Sequence, residues 1–505
     1  MTSIFDTIAR IYEFLPLGGR LGGGFVLYFL LLLALSTWAA RRQSARSNAG
    51  FFLASSRAPW PLVAMGMIAG SISGVSFISV PGWAASTSMT YLQMCAGYIV
   101  GYVIVAFVLL PLYYRLRLTS IYAYLGQRYG PTTQRTGAAF FMLSKLTGAT
   151  ARLYLATLVL HTFVAAPFGI PYVATVAITL LLIWAYTARA GHAALLYTDA
   201  LQTLMLLLAL GGIIFYALRA LNLDLAGAWN VIVESPMSRV FDWDWGSRQA
   251  FWRQFLSGIF IVIVMTGLDQ DMMQKNLTCR SLRDAQKEMC VYGLAFLPIN
   301  ALFLGLGILL YHLCAVQGIA PPAKGDQLLP MLIEGGWLGA GVLLPFSLGI
   351  VAAAFSAADG AFTALTTSVC VDLFDRPNDV RLRRRVHAAI FALSLLCVLV
   401  FHFVSTGNTI NTIFVLASYT YGPLLGLYAY GLYTRRAVAD RLVPIVAIAA
   451  PIVCALLDWL QPGGYQFGYE LLLLNGLLTA AGLWLLRSGN TKIETDRKKV
   501  ENSLP

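Results

Sequence analysis

The chain has 505 residues, 58% of them hydrophobic and only 11% charged, and its mean hydropathy is +0.71. This composition excludes a soluble globular protein and predicts a membrane protein with many spanning segments. The net charge of +12 does not indicate a nucleic-acid partner, because the basic residues cluster in alternate loops between the apolar segments.

The apolar segments are rich in glycine and serine and show no ten-residue alternation, so they predict helices rather than the strands of a membrane barrel. The first lies at about residues 25–40. The others are predicted at roughly residues 60–86, 91–114, 137–166, 171–188, 194–218, 251–274, 288–315, 335–374, 386–404, 409–433, 442–460 and 468–486. The predicted fold class is all-α, with about thirteen transmembrane helices in the lipid bilayer.

The distribution of basic residues predicts the orientation. Roughly three quarters of the lysines and arginines fall in alternate loops, which the positive-inside rule assigns to the cytoplasm. These loops carry Arg41, Arg42 and Arg46; Arg115, Arg117, Arg128 and Arg135; Arg189; Lys275, Arg280, Arg283 and Lys287; Arg376, Arg381, Arg383, Arg384 and Arg385; Arg435, Arg436 and Arg441; and Lys492, Arg497, Lys498 and Lys499. With an odd helix count, we expect a protein of the cell (inner) membrane with its N-terminus outside and its C-terminus in the cytoplasm.

Two of the predicted helices contain sequences that interrupt a helix. In the second, residues 70–82 combine glycines, serines and Pro81, which disfavour regular helix. In the seventh, Gly267 lies in a comparable place. Unwound backbone at membrane depth is tolerated where it lines a cavity, and paired interruptions indicate a transporter built from inverted repeats. Small-residue packing between helices is the alternative interpretation.

The segment 349–374 carries one polar face on an otherwise apolar helix. Residues three and four apart share a helical face, and here they are Ser356, Asp359, Gly360, Thr363 and Thr367. A carboxylate inside a membrane is costly, so Asp359 indicates an ion, proton or substrate site that faces the protein interior. The alternative is a packing seam of small residues with Asp359 held by a neighbour.

Other charges are also predicted inside the membrane. Asp199 lies near the cytoplasmic start of its segment, and Asp269 and Asp271 lie at the inner end of theirs. Arg152 lies near the middle of its segment, too deep for its side chain to reach the membrane interface easily. Lys145 lies two turns earlier on the same face. Its partner is either a fixed carboxylate or a substrate carboxylate bound by the planar guanidinium group.

The sequence gives no support for an enzyme. It contains no HExxH, GxSxG or phosphate-binding loop motif, and its histidines are scattered. The seven cysteines lack the spacing of a metal site or a disulfide framework. A secondary transporter is therefore expected, with a transporter-like channel or sensor as the alternative, and no obligate protein partner is indicated.

Four motifs give the chain a more specific resemblance. They are FFLASSRAPW at residues 51–60, SIYAYLGQRYG at 120–130, YTDALQ at 197–202, and AAAFSAADG with VDLF between 352 and 374. Over nearly its whole length the chain resembles the sodium/solute symporter family, which includes bacterial proline, galactose and sialic acid transporters. The resemblance implies the LeuT-type fold, with an extra helix in 1–50, two inverted five-helix repeats in 51–220 and 221–436, and two additional helices with a tail in 437–505.

The resemblance also implies cation sites. The main Na⁺ site would use backbone carbonyls of Ala69, Ile72 and Ala353 and the hydroxyl of Ser356. The family's next hydroxyl position is Ala357 here, which removes one ligand. A second site would involve Asp199 and Asp359, which bind Na⁺ between them or, with H⁺ as the alternative coupling ion, share a proton.

The substrate is expected between the two interrupted helices. The candidate residues are Ser73, Ser76, Phe77, Gln93, Arg152, Met265, Thr266, Asp269, Ser418, Tyr419 and Tyr421. The expected function is Na⁺-coupled import of a small organic solute by alternating access, or H⁺-coupled import by the same fold. Arg152 favours an organic anion, such as the sugar acid sialic acid.

Overall fold

The structure, a computed structural model, describes residues 17–42, 48–188, 191–404, 409–461, 467–468 and 470–486. These residues are helical almost throughout. In the first half the longer helices are α1 (Leu17–Arg42), α2 (Trp60–Ser71), α3 (Gly74–Thr87), α4 (Tyr91–Leu116), α5 (Pro131–Leu160), α6 (Tyr172–Thr187), α7 (His192–Leu221) and α8 (Leu225–Glu234). Short helices at Asn48–Leu53 and Ala123–Arg128 precede α2 and α5.

The second half continues the same architecture. Its helices are α9 (Phe251–Gly267), α10 (Gln270–Asn276), α11 (Leu282–Gln317), α12 (Leu328–Glu334), α13 (Ala340–Leu373), α14 (Val380–Val404), α15 (Thr409–Tyr433), α16 (Val443–Leu460) and α17 (Leu471–Leu485). Each predicted apolar segment has a helical counterpart in this described part of the chain. Within the described ranges, seven helices are long and apolar enough to cross a membrane, or up to nine if each bent pair counts as one span, so the total of thirteen stays a prediction.

The first interrupted helix consists of α2 and α3, which meet at an angle of 62°. The break lies at Ile72 and Ser73, whose backbones are extended rather than helical. Ser73 then begins α3 with a capping box that it forms with Ser76. The predicted interruption is confirmed, but Pro81 does not contribute to it. Pro81 lies inside α3, consistent with the tolerance of membrane helices for proline when neighbouring groups satisfy the backbone.

The second interrupted helix consists of α9 and α10, bent by 72°. Here Asp269 adopts an extended backbone, and its side chain accepts a hydrogen bond of 3.1 Å from the Met272 N–H. This aspartate is therefore an N-cap that restarts the helix after the break at Gly267. The second predicted interruption is confirmed as well.

The helix α13 forms the centre of the bundle. Almost every residue from Phe346 to Ser368 is buried, and most of them are small. Small side chains let the neighbouring backbones approach closely, and α13 contacts α2, α3, α5, α7 and α10. Both interrupted helices thus meet the polar face that was predicted on this segment.

Candidate functional site

An ion pair between α7 and α10 lies beside the first helix break. The Lys275 Nζ atom is 2.9 Å from Asp199 Oδ2, and both side chains are nearly inaccessible to solvent. The ammonium group also donates to the Gly66 carbonyl at 3.3 Å, and the Ser356 hydroxyl donates to Asp199 Oδ1 at 3.0 Å. Both of these partners of the Lys275 ammonium group are oxygen atoms that belong to neighbouring helices.

The position of Lys275 corrects the sequence analysis, which assigned this residue to a cytoplasmic loop. Lys275 is 3% exposed. The reason is the break at Gly267, because the chain bends there by 72° and α10 packs against α2 and α13 instead of forming an exposed loop. A lysine at the end of an apolar segment is normally counted as a loop residue, and this rule fails where the segment is interrupted.

A second cluster joins α5 to the second helix break. Lys145 Nζ lies 2.9 Å from Asp271 Oδ2 and 3.1 Å from both oxygens of Asp269. The Tyr421 hydroxyl donates to Asp269 Oδ2 at 2.6 Å. Lys145 is 13% exposed, whereas the two carboxylates are almost completely buried. This cluster therefore ties one helix of the first half to the break and to α15 in the second half.

Asp359 lies on α13 close to the ion pair of α7 and α10. Its Oδ2 accepts a hydrogen bond of 2.7 Å from the Tyr186 hydroxyl. Lys275 interacts electrostatically with Asp359 as well as with Asp199 and Asp271. Among the described residues, Oδ1 of Asp359 and Oδ1 of Asp271 have no hydrogen-bond partner. Two buried carboxylate oxygens thus keep capacity for a further donor or ion.

Arg152 lies on α5 and is half-buried. It interacts electrostatically with Asp269, Asp271 and Tyr421. No ion pair within the described part of the chain involves Arg152, because the two nearby carboxylates are bound by Lys145. Among the described residues, the guanidinium group therefore lies near the second break without a fixed carboxylate of its own.

Two of the three carbonyl groups predicted to bind Na⁺, those of Ala69 and Ile72, lie at the first break, and the third belongs to Ala353 on α13. Ile72 has an extended backbone, and the Ser73 N–H donates to Ser76 Oγ at 3.3 Å. In the described structure the Ala69 carbonyl consequently receives no N–H from Ser73, its usual helical donor. On α13, Ala353 and Ser356 are completely buried. These oxygens suit Na⁺, a hard cation, although in this arrangement the Ser356 hydroxyl is directed at Asp199.

Hydroxyl groups connect the two breaks. Thr266, at the second break, lies beside Tyr102. Tyr102 donates to the Tyr292 hydroxyl at 2.8 Å, and the Tyr292 hydroxyl is hydrogen-bonded to Ser71 at the first break. The sequence analysis identified only Thr266 of these residues. The other members lie on α2, α4 and α11, and no spacing along the chain indicates that they meet.

Other predicted substrate residues are not brought to the breaks. Gln93 lies next to the loop between α8 and α9, where its amide donates to the Gln249 carbonyl at 2.9 Å and accepts from the Asp242 N–H at 3.0 Å. The Tyr419 hydroxyl donates to Asp458 on α16 at 3.3 Å, which directs it away from Asp269.

Three further candidates complete the set. The Phe77 ring is buried against Phe303 with 5.0 Å between the ring centroids. Met265 belongs to the last turn of α9, next to Thr266. Ser418 belongs to α15, and its side chain lies outside the described residues.

An all-helical bundle with two interrupted membrane helices, and with buried charge and free oxygen atoms at both breaks, is the architecture typical of secondary transporters. The description "Sodium:solute symporter family" matches residues 51–440, so the chain belongs to the sodium:solute symporter family. This result confirms the resemblance that the sequence motifs indicated.

Named relatives share less than a third of their residues with this chain. The human sodium/iodide cotransporter is 24% identical over 81% of this chain, and the match spans only 65% of that protein. The sodium/sialic acid symporter NanT of Aliivibrio fischeri is 24% identical, covering 84% of this chain and 85% of that protein. SiaT of Proteus mirabilis, another sodium/sialic acid symporter, is 22% identical over 85% and 87%. All are transporters, not enzymes.

Solved structures confirm the LeuT-type fold. A Na⁺-coupled sialic acid symporter in a substrate-bound outward-open state superposes with a TM-score of 0.77 at 18% identity, over 92% of this chain and 96% of that chain. A transporter of the nucleobase-cation-symport-1 family gives a TM-score of 0.54 at 15% identity, over 86% and 93%.

Proposed function

We propose that the protein is a Na⁺-coupled symporter that imports a small organic anion by alternating access. The observation that carries the proposal is the meeting of both interrupted helices at α13, with helix-end carbonyls, Ser356 and a charged cluster at the breaks. Membership of the sodium:solute symporter family supports the class. The interrupted helices supply fixed oxygen ligands at membrane depth, which is how transporters of this kind bind their coupling ion.

The Na⁺ site that we propose uses the carbonyls of Ala69, Ile72 and Ala353 and the hydroxyl of Ser356. All four residues are buried, and the helices α2 and α13 that contribute them are in contact. Binding of Na⁺ there requires the Ser356 oxygen, which currently donates its hydrogen to Asp199 and can accept a cation with its lone pairs. H⁺ remains the alternative coupling ion, because Ala357 lacks the additional hydroxyl group that would complete the site.

The substrate that we propose carries a carboxylate group, which Arg152 binds. Its guanidinium group is half-buried, and the neighbouring carboxylates are already paired with Lys145. An arginine in this setting gains most from a bidentate carboxylate ligand. Asp269 and Tyr421, which interact electrostatically with Arg152, are the proposed partners for hydroxyl groups of the same solute. The relatives named as sodium/sialic acid symporters support a sugar acid.

The test is uptake into proteoliposomes with an inward Na⁺ gradient, using a panel of solutes. The panel contains sialic acid, a neutral polyol such as myo-inositol, and iodide. We expect uptake of the carboxylate solute only, and we expect Arg152→Gln to abolish it while Arg152→Lys retains a part. The exposed Arg283 provides the matched control Arg283→Gln, which should transport normally. Carboxylate uptake that survives Arg152→Gln would contradict the substrate assignment.

We further propose that the protein lies in the cell inner membrane with the N-terminus outside and the C-terminus in the cytoplasm. The alternate distribution of basic loops supports this orientation. Labelling of single cysteines introduced at each end, with a membrane-impermeant reagent on whole cells, should modify only the N-terminal one. Labelling of the C-terminal cysteine from outside would contradict the orientation.

A further inference from the structure

The ammonium group of Lys275 has the surroundings of a bound monovalent cation. It lies 2.9 Å from an Asp199 oxygen and 3.3 Å from the Gly66 carbonyl, and the Asp271 and Asp359 carboxylates complete its electrostatic environment. Na⁺ would seek the same oxygen atoms. Two monovalent cations in one buried space repel each other strongly, because little solvent screens them. The lysine and a Na⁺ ion therefore exclude each other.

The helix that carries this lysine is fixed in place. Gln274, the preceding residue, donates to the Phe52 carbonyl and to Thr367 Oγ1, both at 2.7 Å. At the start of the same helix, Gln270 accepts from the Ile121 N–H at 2.8 Å. These bonds anchor α10 to α13 and to the segments that carry Phe52 and Ile121, so the fold fixes the helix from which the Lys275 side chain extends.

The neighbouring helices leave room for the lysine chain. A Cβ atom at Gly70 would lie 3.1 Å from Lys275 Nζ, and one at Gly360 would lie 3.2 Å from Lys275 Cε. Both distances are tighter than ordinary contacts between a side chain and its neighbours. The lysine passes between α2 and α13 because both residues lack a side chain where it passes.

We propose that Lys275 is a tethered cation that fills the subsite formed by Asp199 and Asp359, so that this subsite binds no Na⁺. This replaces the expectation that the two aspartates coordinate a coupling ion. What this means for transport rests on the proposed function, in which a single Na⁺ ion binds at Ala69, Ile72, Ala353 and Ser356. The protein then moves one Na⁺ per solute, and its own lysine supplies the second positive charge.

The test counts Na⁺ ions bound to the purified protein by scintillation proximity with radioactive Na⁺, without any substrate. Lys275→Ala removes the charge and opens the space, so we expect one more bound Na⁺ per chain than in the unmodified protein. Lys275→Met removes the charge but keeps most of the volume, and it should add none. Lys287→Ala alters an exposed lysine on the next helix and should also add none. An equal count for Lys275→Ala and the unmodified protein overturns the proposal.

A second measurement does not depend on how well Lys275→Ala folds. Asp199→Asn in the presence of Lys275 should leave the number of bound Na⁺ ions unchanged, because Asp199 binds the lysine and not the ion. Loss of a bound Na⁺ from this variant would also overturn the proposal. The absolute count reports on the proposed function: if the unmodified protein binds no Na⁺ while Lys275→Ala binds one, the Na⁺ site at Ser356 fails and the tethered cation stands.

Discussion

Replacing Lys145 by methionine should destabilise the protein strongly. The Lys145 ammonium group contacts Asp271 at 2.9 Å and both oxygens of Asp269 at 3.1 Å, and the carboxylates are 1–2% exposed. Removing one partner of a buried ion pair costs about 3–5 kcal/mol, since an uncompensated charge is left behind. At about 2 °C per kcal/mol, the apparent Tm should fall by about 6–10 °C. The assay is thermal unfolding in detergent.

A control variant and a double variant test whether the loss of stability comes from the ion cluster. Lys287→Met, at an exposed position, should leave the apparent Tm unchanged. Adding Asp271→Asn to Lys145→Met removes one of the stranded charges and should recover part of the loss, with a coupling energy of about 1–3 kcal/mol in the double-mutant cycle. Losses that simply add, or an unchanged apparent Tm for Lys145→Met, would refute the ion cluster as the link between the two halves.

Three further predictions concern the proposed Na⁺ site, helix packing and the loop between α8 and α9. Ser356→Ala should raise the Na⁺ concentration for half-maximal uptake by about tenfold, and an unchanged Na⁺ titration would remove Ser356 from the site. Gly360→Ala should lower transport because its Cβ would press on the Asp271 carboxylate, whereas Gly211→Ala, whose Cβ meets open space, should not; equal transport by both would contradict this packing. Hydrogen bonds, first from the Ser247 hydroxyl, hold the pKa of Asp242 below its usual value. The ionised Asp242 carboxylate therefore stabilises the loop at pH values above the ordinary aspartate pKa, and this stabilisation is lost below about pH 4. Limited proteolysis at this lower pH should cleave the loop between α8 and α9 faster, and Asp242→Asn should abolish this pH dependence. A pH profile of cleavage that the variant leaves unaltered would contradict the prediction.

The backbone interruptions could be predicted from the sequence because they depend on local composition. Glycine and serine around residue 72 weaken the helix, and Asp269 is a residue type that begins a new helix after Gly267. Asp359 was also recognisable, since a carboxylate inside an apolar segment stands out against its neighbours.

The contacts of the site could not be predicted, because they depend on how distant helices approach each other. From the sequence, Lys275 is assigned to a loop unless the bend between α9 and α10 is known. Tyr419 and Tyr421 lie two positions apart and therefore point to different sides of α15, so that one contacts Asp458 and the other Asp269. Gln93 is hydrogen-bonded to the loop between α8 and α9, whose course the sequence does not specify.

Na⁺-driven accumulation in proteoliposomes tests the central claim most directly. The unmodified protein should concentrate a carboxylate solute above its external level when Na⁺ is higher outside, and should stop when K⁺ replaces Na⁺ at the same membrane potential. The measured ratio should be one Na⁺ per solute. Equal accumulation with K⁺, or accumulation that follows a proton gradient alone, would contradict the account.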